Sequence, residues 1–248
     1  MISVTILTKN CERTLKATLE SVKDFKDIVI LDTGSSDKTL EIATTFPNVR
    51  IFTSPFLGFG KLHNLATSYA LFDWVFSLDS DEVLTEELAE EVLHLQRNPA
   101  HAYAVLRHNF FNGKQIKWCG GWHPDWVLRL YHRQHHRFSE DAVHEKLLVQ
   151  KECAMPLQGV MLHTPYREMG DFLSKMQLYT SLFAEEHKYK KRGSLTSAIF
   201  HGWFSFIKSY ILKRGFLGGR EGFIISLYNA HTAFYKYLKL EEKNRNPS

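Results

Sequence analysis

The sequence predicts an α/β fold, with a mostly parallel sheet flanked by helices and a helical C-terminal extension. Over the first hundred residues, short apolar or β-branched runs alternate with helical patterns, which is typical of a parallel sheet covered by helices. The Asn112-Gly113 pair between two apolar runs indicates an antiparallel hairpin. From Asp171 onward the pattern changes to long helices separated by glycines.

The elements follow one another in a regular order. Strands are expected over residues 3–8, 27–32, 49–53 and 73–78, with helical patterns from Leu15, through Ile42, and over 61–70 and 85–96. The hairpin takes residues 103–111 and 114–118, a further strand takes 127–131, and the late helices take 171–191, 196–214 and 222–240. We therefore expect one domain over residues 1–168, with halves that meet near residue 100, and a helical extension over 169–248.

Composition limits the possible classes of protein. The 248 residues are 44% hydrophobic, which is enough for a sizeable core. The net charge of only +4 gives no reason to expect a nucleic-acid partner. Cys11, Cys119 and Cys153 are odd in number and lack close pairing, so a reducing, cytoplasmic compartment is expected.

No secretory signal or membrane-spanning helix is expected from the sequence. Residues 1–8 have the pattern of a strand, and Lys9 follows too soon for a signal sequence. His201 and Lys208 interrupt the apolar stretch 194–212, which falls short of the ~20 apolar residues that a membrane span needs.

An acidic cluster follows the fourth predicted strand. Asp79, Asp81 and Glu82 place three carboxylates within four residues, and a cation such as Mg²⁺ or Mn²⁺ would relieve their mutual repulsion. The alternative is an acidic helix N-terminus, because the helix from Thr85 would be stabilised by acids in front of it.

Polar residues also follow the first and second strands. Asn10 and Asp32 stand at the same carboxyl edge as Asp79, where ligands bind in open α/β sheets. Asp32 could hydrogen-bond a base or ribose, with Gly34 allowing close approach of the ligand. The alternative is a turn that caps the next helix through Ser35.

Three ordered motifs make the chain resemble family 2 glycosyltransferases of the GT-A fold: Thr8-Lys9-Asn10, Asp32-Thr-Gly-Ser-Ser-Asp37 and Leu78-Asp-Ser-Asp-Glu82. Within that family it looks most like bacterial lipopolysaccharide core heptose β-1,4-glucosyltransferases. The residues that carry this second likeness are Gly58-Phe-Gly60 with Asn64, Pro124-Asp125 with Arg129-Leu130, Val143-His144-Glu145, and the segment from Gly215 to Gly222.

The resemblance implies roles for individual residues. It implies a nucleotide-sugar site in residues 1–100, formed by Thr8, Asn10, Asp32, Gly34, Ser35, Asp37, Asn64 and Asp79. Asp32 is expected on the uracil and Asn64 near the base. The metal, Mg²⁺ or Mn²⁺, is expected on Asp81 and Asp79, with His144 as a further ligand.

The resemblance also implies an acceptor side, in residues 101–168. An inverting transferase needs a carboxylate to take the proton of the acceptor hydroxyl; we expect Glu145 in that role and Asp141 as the alternative. The acceptor is expected near Trp122, Pro124 and Arg129. For Trp122, packing in a core is an open alternative.

The region from Lys188 to Arg220 holds eight Lys or Arg and no Asp or Glu, interleaved with aromatic residues. This composition fits an interfacial contact with anionic lipid, or else a helix packed on the catalytic domain with a solvated basic face.

The function implied is transfer of glucose from UDP-glucose to an inner-core heptose of lipopolysaccharide, at the cytoplasmic face of the inner membrane. Alternatives are a related transferase with another glycan, lipid-carrier or peptide acceptor, and a noncatalytic membrane-binding module. The oligomeric state is not indicated by the sequence.

Overall fold

The computed structural model describes residues 1–120, 122–141, 145–166 and 169–245. The chain forms two compact units. The first contains residues 1–107 and 126–163, and the second contains residues 108–125 and 164–248. The region around the hairpin turn, residues 108–125, thus belongs to the same unit as the C-terminal helices. The division of the chain at residue 168 stays a prediction.

Within the described residues, nine strands form one sheet. They are β1 (Ile2–Thr8), β2 (Asp27–Asp32), β3 (Val49–Thr53), β4 (Trp74–Asp79), β5 (Glu82–Leu84), β6 (Ala102–Phe111), β7 (Lys114–Gln115), β8 (Trp126–His132) and β9 (Ala154–Tyr166). Their order is β3-β2-β1-β4-β8-β6-β9-β5, with β7 paired to β6. The pairs among β1 to β4 are parallel, whereas β8 joins β4 and β6 in antiparallel fashion.

The register of the parallel strands brings their polar ends together. Thr8 pairs with Asp32, and Leu7, one residue earlier on β1, pairs with Asp79 on the other side. Since all three strands point the same way, their carboxyl ends share one edge of the sheet, as the sequence predicts.

The helices are α1 (Leu15–Ser21), α2 (Thr39–Thr44), α3 (Phe59–Ser68), α4 (Glu86–His94), α5 (Met169–His187), α6 (Leu195–Ile207) and α7 (Gly219–Arg245). A single turn of π-helix, Lys208–Leu212, continues α6. The core of the first unit buries Val4, Ile6, Ile30 and Phe76 completely. These apolar runs are buried on both faces of the sheet, which is why they read as continuous rather than alternating.

Two strands were not predicted. β5 has only three residues, and β9 carries Pro156 and Gly159 and mostly half-exposed side chains, so neither gives a strand pattern. The two pair with each other in antiparallel fashion, with Glu82 opposite His163. Glu82 therefore belongs to a strand, and α4 begins only at Glu86.

Some predicted elements were longer or shorter than the observed ones. The second arm of the hairpin is Lys114–Gln115 rather than 114–118. The last helix, by contrast, runs to Arg245. No helix among the described residues is long and apolar enough to cross a membrane.

In the second unit, α6 packs closely on α7. A Cβ at Gly202 would lie 3.2 Å from the Cβ of Phe234 and 3.3 Å from the carbonyl oxygen of Ala230. A separate apolar cluster, which includes Trp122, Phe172 and Ile225, holds the hairpin residues to the helices of the same unit.

Candidate active site

Asp32, at the end of β2, organises the turn that follows it. Its Oδ2 accepts hydrogen bonds from the backbone N–H groups of Gly34, at 2.9 Å, and Ser35, at 2.8 Å. Its Oδ1 accepts from the hydroxyls of Ser35, at 2.5 Å, and Thr8, at 2.9 Å. Burial raises the pKa of Asp32, but the bonds from Ser35, Thr8 and Gly34 outweigh it, so the net pKa is lowered.

Glycine is required at position 34 by the backbone. Gly34 has φ +98, a conformation that side chains rarely adopt, and no atom lies within 4 Å of the place where its Cβ would be. The turn therefore leaves open space above the carboxyl end of β2, where a ligand can approach the backbone.

Asn10 and Asp37 join the two loops at this edge. The Oδ1 of Asn10 accepts from the backbone N–H of Ser36 at 2.8 Å. Asp37 accepts from the backbone N–H groups of Glu12, at 3.1 Å, and Thr39, at 3.0 Å. Asn10 and Asp37 are thus brought to the same edge as Asp32, and each links the loop after β1 to the loop after β2.

Two arginines contact the carboxylates of the acidic cluster after β4. The Nη2 of Arg129 donates to Oδ2 of Asp79 at 2.6 Å and to Oε1 of Glu82 at 2.5 Å. Arg107 donates to the same Oε1 of Glu82 at 2.7 Å. Burial raises the pKa of the Asp79 carboxyl, but the positive charges of Arg129 and Arg107 lower it more, so that its net pKa lies well below its usual range.

Asp81 lies beside His163. Its Oδ1 is 3.5 Å from Nε2 of His163, which stands opposite Glu82 on β9. No group of three or more His, Cys, Asp or Glu in the part of the chain described by the structure is arranged to hold a metal ion. A carboxylate and an imidazole nevertheless suit Mn²⁺, and a bound diphosphate would supply further oxygens.

Asn64 and Gly60, on the first turns of α3, contact the segment that leads to the candidate base. The side-chain amide of Asn64 donates to the carbonyl of Phe138 at 3.0 Å and accepts from its N–H at 2.9 Å. The N–H of Gly60 donates to the carbonyl of Asp141 at 3.2 Å. The amide of Asn64, expected near the base of the nucleotide, is thus engaged by a protein backbone.

Glu145 is partly buried, with 25% of its side chain exposed, and its Oε1 lies 3.9 Å from Nε2 of His63. Burial raises the pKa of Glu145, and the charges of Asp79 and Asp141 raise it further. The His63 ring is itself buried, which lowers its pKa to about 4. His63 is therefore neutral near pH 7, and Glu145 gains no ion pair from it.

The remaining predicted residues lie apart or outside the described ranges. Asp141 is exposed, and His144 lies outside the described residues. Trp122 is buried in the apolar cluster of the second unit, where Pro124 follows a cis peptide bond. Arg129, expected near the acceptor, lies in the first unit against Asp79 and Glu82.

Four residues of this site carried no role in the sequence interpretation. They are His63, Arg107, Ser77 and His163. None of them belongs to a contiguous motif, and only the pairing of distant segments brings each to the site. Ser77 gave one local signal, because it is a hydroxyl within the apolar run of β4; it is buried and lies 3.1 Å from Nδ1 of His63.

Comparisons with known proteins agree with this geometry. A family model described as glycosyl transferase family 2 matches residues 3–148. The chain is 26% identical to an uncharacterized glycosyltransferase of Rickettsia typhi, over 99% of this chain and 89% of the relative. It is also 25% identical to the lipopolysaccharide core biosynthesis glycosyltransferase LpsC of Rhizobium meliloti, over 98% of this chain and 93% of that protein.

Among solved structures, the mannosyltransferase PcManGT from Pyrobaculum calidifontis, in complex with GDP-Man and Mn²⁺, has a TM-score of 0.50 and 16% identity. The match covers 100% of this chain and 87% of that one. The shared fold is GT-A, as the three strand-end motifs predict. With more than half of its residues matched by the family model, this chain belongs to glycosyl transferase family 2.

Proposed function

We propose that this glycosyltransferase transfers glucose from UDP-glucose to an inner-core heptose of lipopolysaccharide, with inversion at the anomeric carbon. The observation that supports the proposal is the proximity of Glu145 to the fourth strand. Its Oε1 lies 3.9 Å from Nε2 of His63, and Nδ1 of His63 lies 3.1 Å from the hydroxyl of Ser77 on β4, the strand that ends in Asp79.

The donor nucleotide belongs at the carboxyl ends of β1, β2 and β4. Open backbone at Gly34 and the polar turn at Asp32 suit a nucleoside, whose base and ribose need hydrogen-bond partners. Uridine diphosphate is our choice because the motifs at Asp32 and Asp79 resemble those of UDP-sugar transferases.

A divalent cation would be held by Asp81 together with His163, and its positive charge would stabilise the leaving diphosphate. The distance of 3.5 Å between Oδ1 of Asp81 and Nε2 of His163 supports this pair of ligands. Asp79 instead orients the edge of the site through Arg129. Mn²⁺ is the ion in the complex of the Pyrobaculum mannosyltransferase.

Glu145 is proposed as the general base. Burial raises its pKa, which makes it a better proton acceptor than an ordinary surface carboxylate. A base on the side opposite the leaving group directs the acceptor oxygen in line toward the anomeric carbon, which gives inversion.

The lipopolysaccharide acceptor is supported by the relative from Rhizobium meliloti, which is named for lipopolysaccharide core biosynthesis. A glycolipid acceptor also fits the second unit, where α6 turns its apolar residues outward. Leu195, Ile199, Phe200, Trp203 and Phe204 are 47–64% exposed, while Ala198 and Gly202 face α7.

We propose that this outward face of α6, together with the π-helical turn after it, lies on the anionic cytoplasmic surface of the inner membrane. Ile211 and Leu212 extend the apolar face. The neighbouring Lys208, Lys213 and Arg214 are exposed cations, and such cations are attracted by anionic headgroups. An apolar face ringed by cations is the composition of helices that lie in the membrane interface.

The transfer activity is tested directly with purified protein. UDP-glucose, UDP-galactose and UDP-N-acetylglucosamine are each offered with Mn²⁺ or Mg²⁺ and a truncated, heptose-terminated core oligosaccharide. We expect a β-linked glucose on heptose, identified by linkage analysis, with a loss of at least about 100-fold in Glu145→Gln. Failure of all three donors to give product contradicts the proposal.

The acceptor could instead be another glycan, a lipid carrier or a peptide. Hydrolysis of UDP-glucose by the wild type, without transfer to the core oligosaccharide, would favour this second candidate. Absence of both hydrolysis and transfer, with vesicle binding retained, would favour a noncatalytic membrane-binding module.

A further inference from the structure

Helix α3 contacts one short segment of chain, residues 138–141, at three places. The first is the side chain of Asn64, whose amide makes two hydrogen bonds to the backbone of a single residue, Phe138. An amide offers one donor and one acceptor in one plane, which matches a peptide N–H and C=O. Neither alanine nor aspartate at this position would make both bonds.

The second contact is a close approach of two backbones at Gly60. A Cβ at this position would lie 1.9 Å from the carbonyl oxygen of Ser139 and 3.0 Å from that of Asp141. The N–H of Gly60 also donates to Asp141. Only glycine allows the first turn of α3 to come this near.

The third contact is made by the ring of His63. It stacks on Phe138, with ring centroids 4.5 Å apart and planes 20° apart. Its Nδ1 is 3.1 Å from the hydroxyl of Ser77 on β4. The other ring nitrogen, Nε2, lies 3.9 Å from Oε1 of Glu145.

Hydrogen bonds join the segment 138–141 to the residues that follow Glu145. Phe138 and Leu147 form an antiparallel bridge. The N–H of Ser139 donates to the carbonyl of Lys146 at 2.8 Å, and the N–H of Lys146 donates to the Ser139 hydroxyl at 3.0 Å. Residues that hold Phe138 and Ser139 therefore also set the position of the backbone next to Glu145.

We infer that Gly60, His63 and Asn64 are positioning residues for the acid-bearing segment, and that Asn64 acts on this segment rather than on the donor nucleotide. The catalytic part of this inference rests on the proposed function. It holds for either candidate base, because Gly60 contacts Asp141 directly and the bridge from Phe138 leads to Glu145.

The test uses Asn64→Ala and Asn64→Asp, with Lys61→Ala as the matched control, since Lys61 is an exposed residue of the same helix. Hydrogen exchange of the amides in residues 137–148 is measured alongside UDP affinity by calorimetry. Loss of both hydrogen bonds in Asn64→Ala, or of the bond to the Phe138 carbonyl in Asn64→Asp, is expected to speed exchange of this segment by about 10- to 30-fold. UDP affinity should stay within about twofold of wild type.

Steady-state kinetics supply the catalytic readout. In both Asn64 variants we expect kcat to fall by about 10- to 100-fold, since misplacement of a catalytic group by about 1 Å is enough for such a loss. The KM for UDP-glucose should not change. A tenfold weaker UDP affinity with unchanged exchange of residues 137–148 would overturn the inference and return Asn64 to the nucleotide site.

Circular dichroism shows whether each variant folds, and His63→Gln provides a milder second variant that removes the ring stack but keeps Asn64. Faster exchange of the same segment in His63→Gln is expected, and unchanged exchange in every folded variant contradicts the inference. The exchange and UDP measurements do not depend on transfer. A wild type that binds UDP but transfers no sugar would therefore contradict the proposed function. The exchange measurements would still show whether Asn64 positions this segment.

Discussion

The Nη2 atom of Arg129 lies 2.6 Å from Oδ2 of Asp79, although the two residues are 50 positions apart in the chain. The same nitrogen donates to Glu82, whose side chain is fully buried. One guanidinium therefore pairs with two carboxylates, and Arg107, which donates to Glu82, supplies the second positive charge of the cluster.

Arg129→Met should destabilise the protein strongly. The substitution leaves Glu82 buried beside Asp79 with only Arg107 to offset their charge, and removal of one partner from a buried ion pair typically costs about 3–5 kcal/mol. The free energy of unfolding in urea measures the effect. Arg133→Met is the control, because the pair of Arg133 with Asp73 is partly exposed to solvent and should contribute less than about 1 kcal/mol. Equal losses in the two variants would contradict the central role of Arg129.

Asp32 should make stability depend on pH in the acid range. Its pKa is lowered in the folded protein, so its ionised form contributes stability above the unfolded pKa, and this contribution is lost as the pH falls through the folded value. Asp32→Asn should therefore be less stable than wild type at pH 7, by about 2 kcal/mol, and the difference should shrink toward pH 3. Asp24→Asn, at an exposed carboxylate, should show no such trend in urea unfolding.

Asp81→Asn and His163→Ala should each weaken metal-dependent binding of UDP. The pair offers an oxygen and a nitrogen ligand 3.5 Å apart, and a diphosphate would complete the coordination. Calorimetric titration of UDP with and without Mn²⁺ measures the metal-dependent gain in affinity. We expect that gain to fall by about tenfold or more in both variants. Glu86→Gln, which changes an exposed acid five residues away, should keep it.

The transfer rate should have an acidic limb that reports Glu145. Because burial raises the pKa of Glu145 above the ordinary glutamate value of 4.5, its protonated form, which is inactive as a base, persists to higher pH than for an ordinary glutamate. The rate should thus rise with pH through a value above 4.5 and level off. The pH profile of kcat/KM measures this limb. Asp141→Asn should retain it; a limb that disappears in Asp141→Asn would assign the base to Asp141 instead.

Polar substitutions on the outward face of α6 should reduce binding to anionic vesicles. Ile199→Ser and Trp203→Ser remove side chains that are 55% and 64% exposed, and each loss of apolar burial should lower the vesicle partition coefficient by about tenfold. Sedimentation with phosphatidylglycerol vesicles measures the partition coefficient. Binding should weaken further in about 0.5 M salt, because salt screens the attraction between the cations of the protein and the anionic headgroups. Leu71→Ser, at a similarly exposed leucine in the first unit, is the control. Binding that is unchanged in both α6 variants would contradict the membrane contact.

The parallel core was predictable because it depends on local patterns. The strands at 3–8, 27–32 and 49–53 were expected within one residue of their observed bounds, since each is a short apolar run ended by a turn residue. β5 and β9 were missed because each is stabilised by the other. β5 is too short to identify on its own, and β9 lacks a regular alternation and carries Pro156 and Gly159.

The candidate site divides in the same way. Asp32, Asp79 and Asp81 were predictable because strand ends in a parallel sheet converge, whatever the rest of the chain does. The contact of Asn64 with Phe138 joins residues 74 positions apart, and Asn64 was expected at the nucleotide instead. A side-chain amide suits either partner equally well, so its chemistry alone does not choose between them.

The sequence by itself determined the family, the parallel order of the first strands and the edge at which their acids meet, because these depend on periodicity and on contiguous motifs. Only the tertiary structure decided that Arg129 pairs with Asp79 and Glu82, that His163 stands beside Asp81, and that α3 holds the segment near Glu145. These contacts join segments far apart in the chain, where geometry rather than local composition selects the partner of each charge and each hydrogen bond.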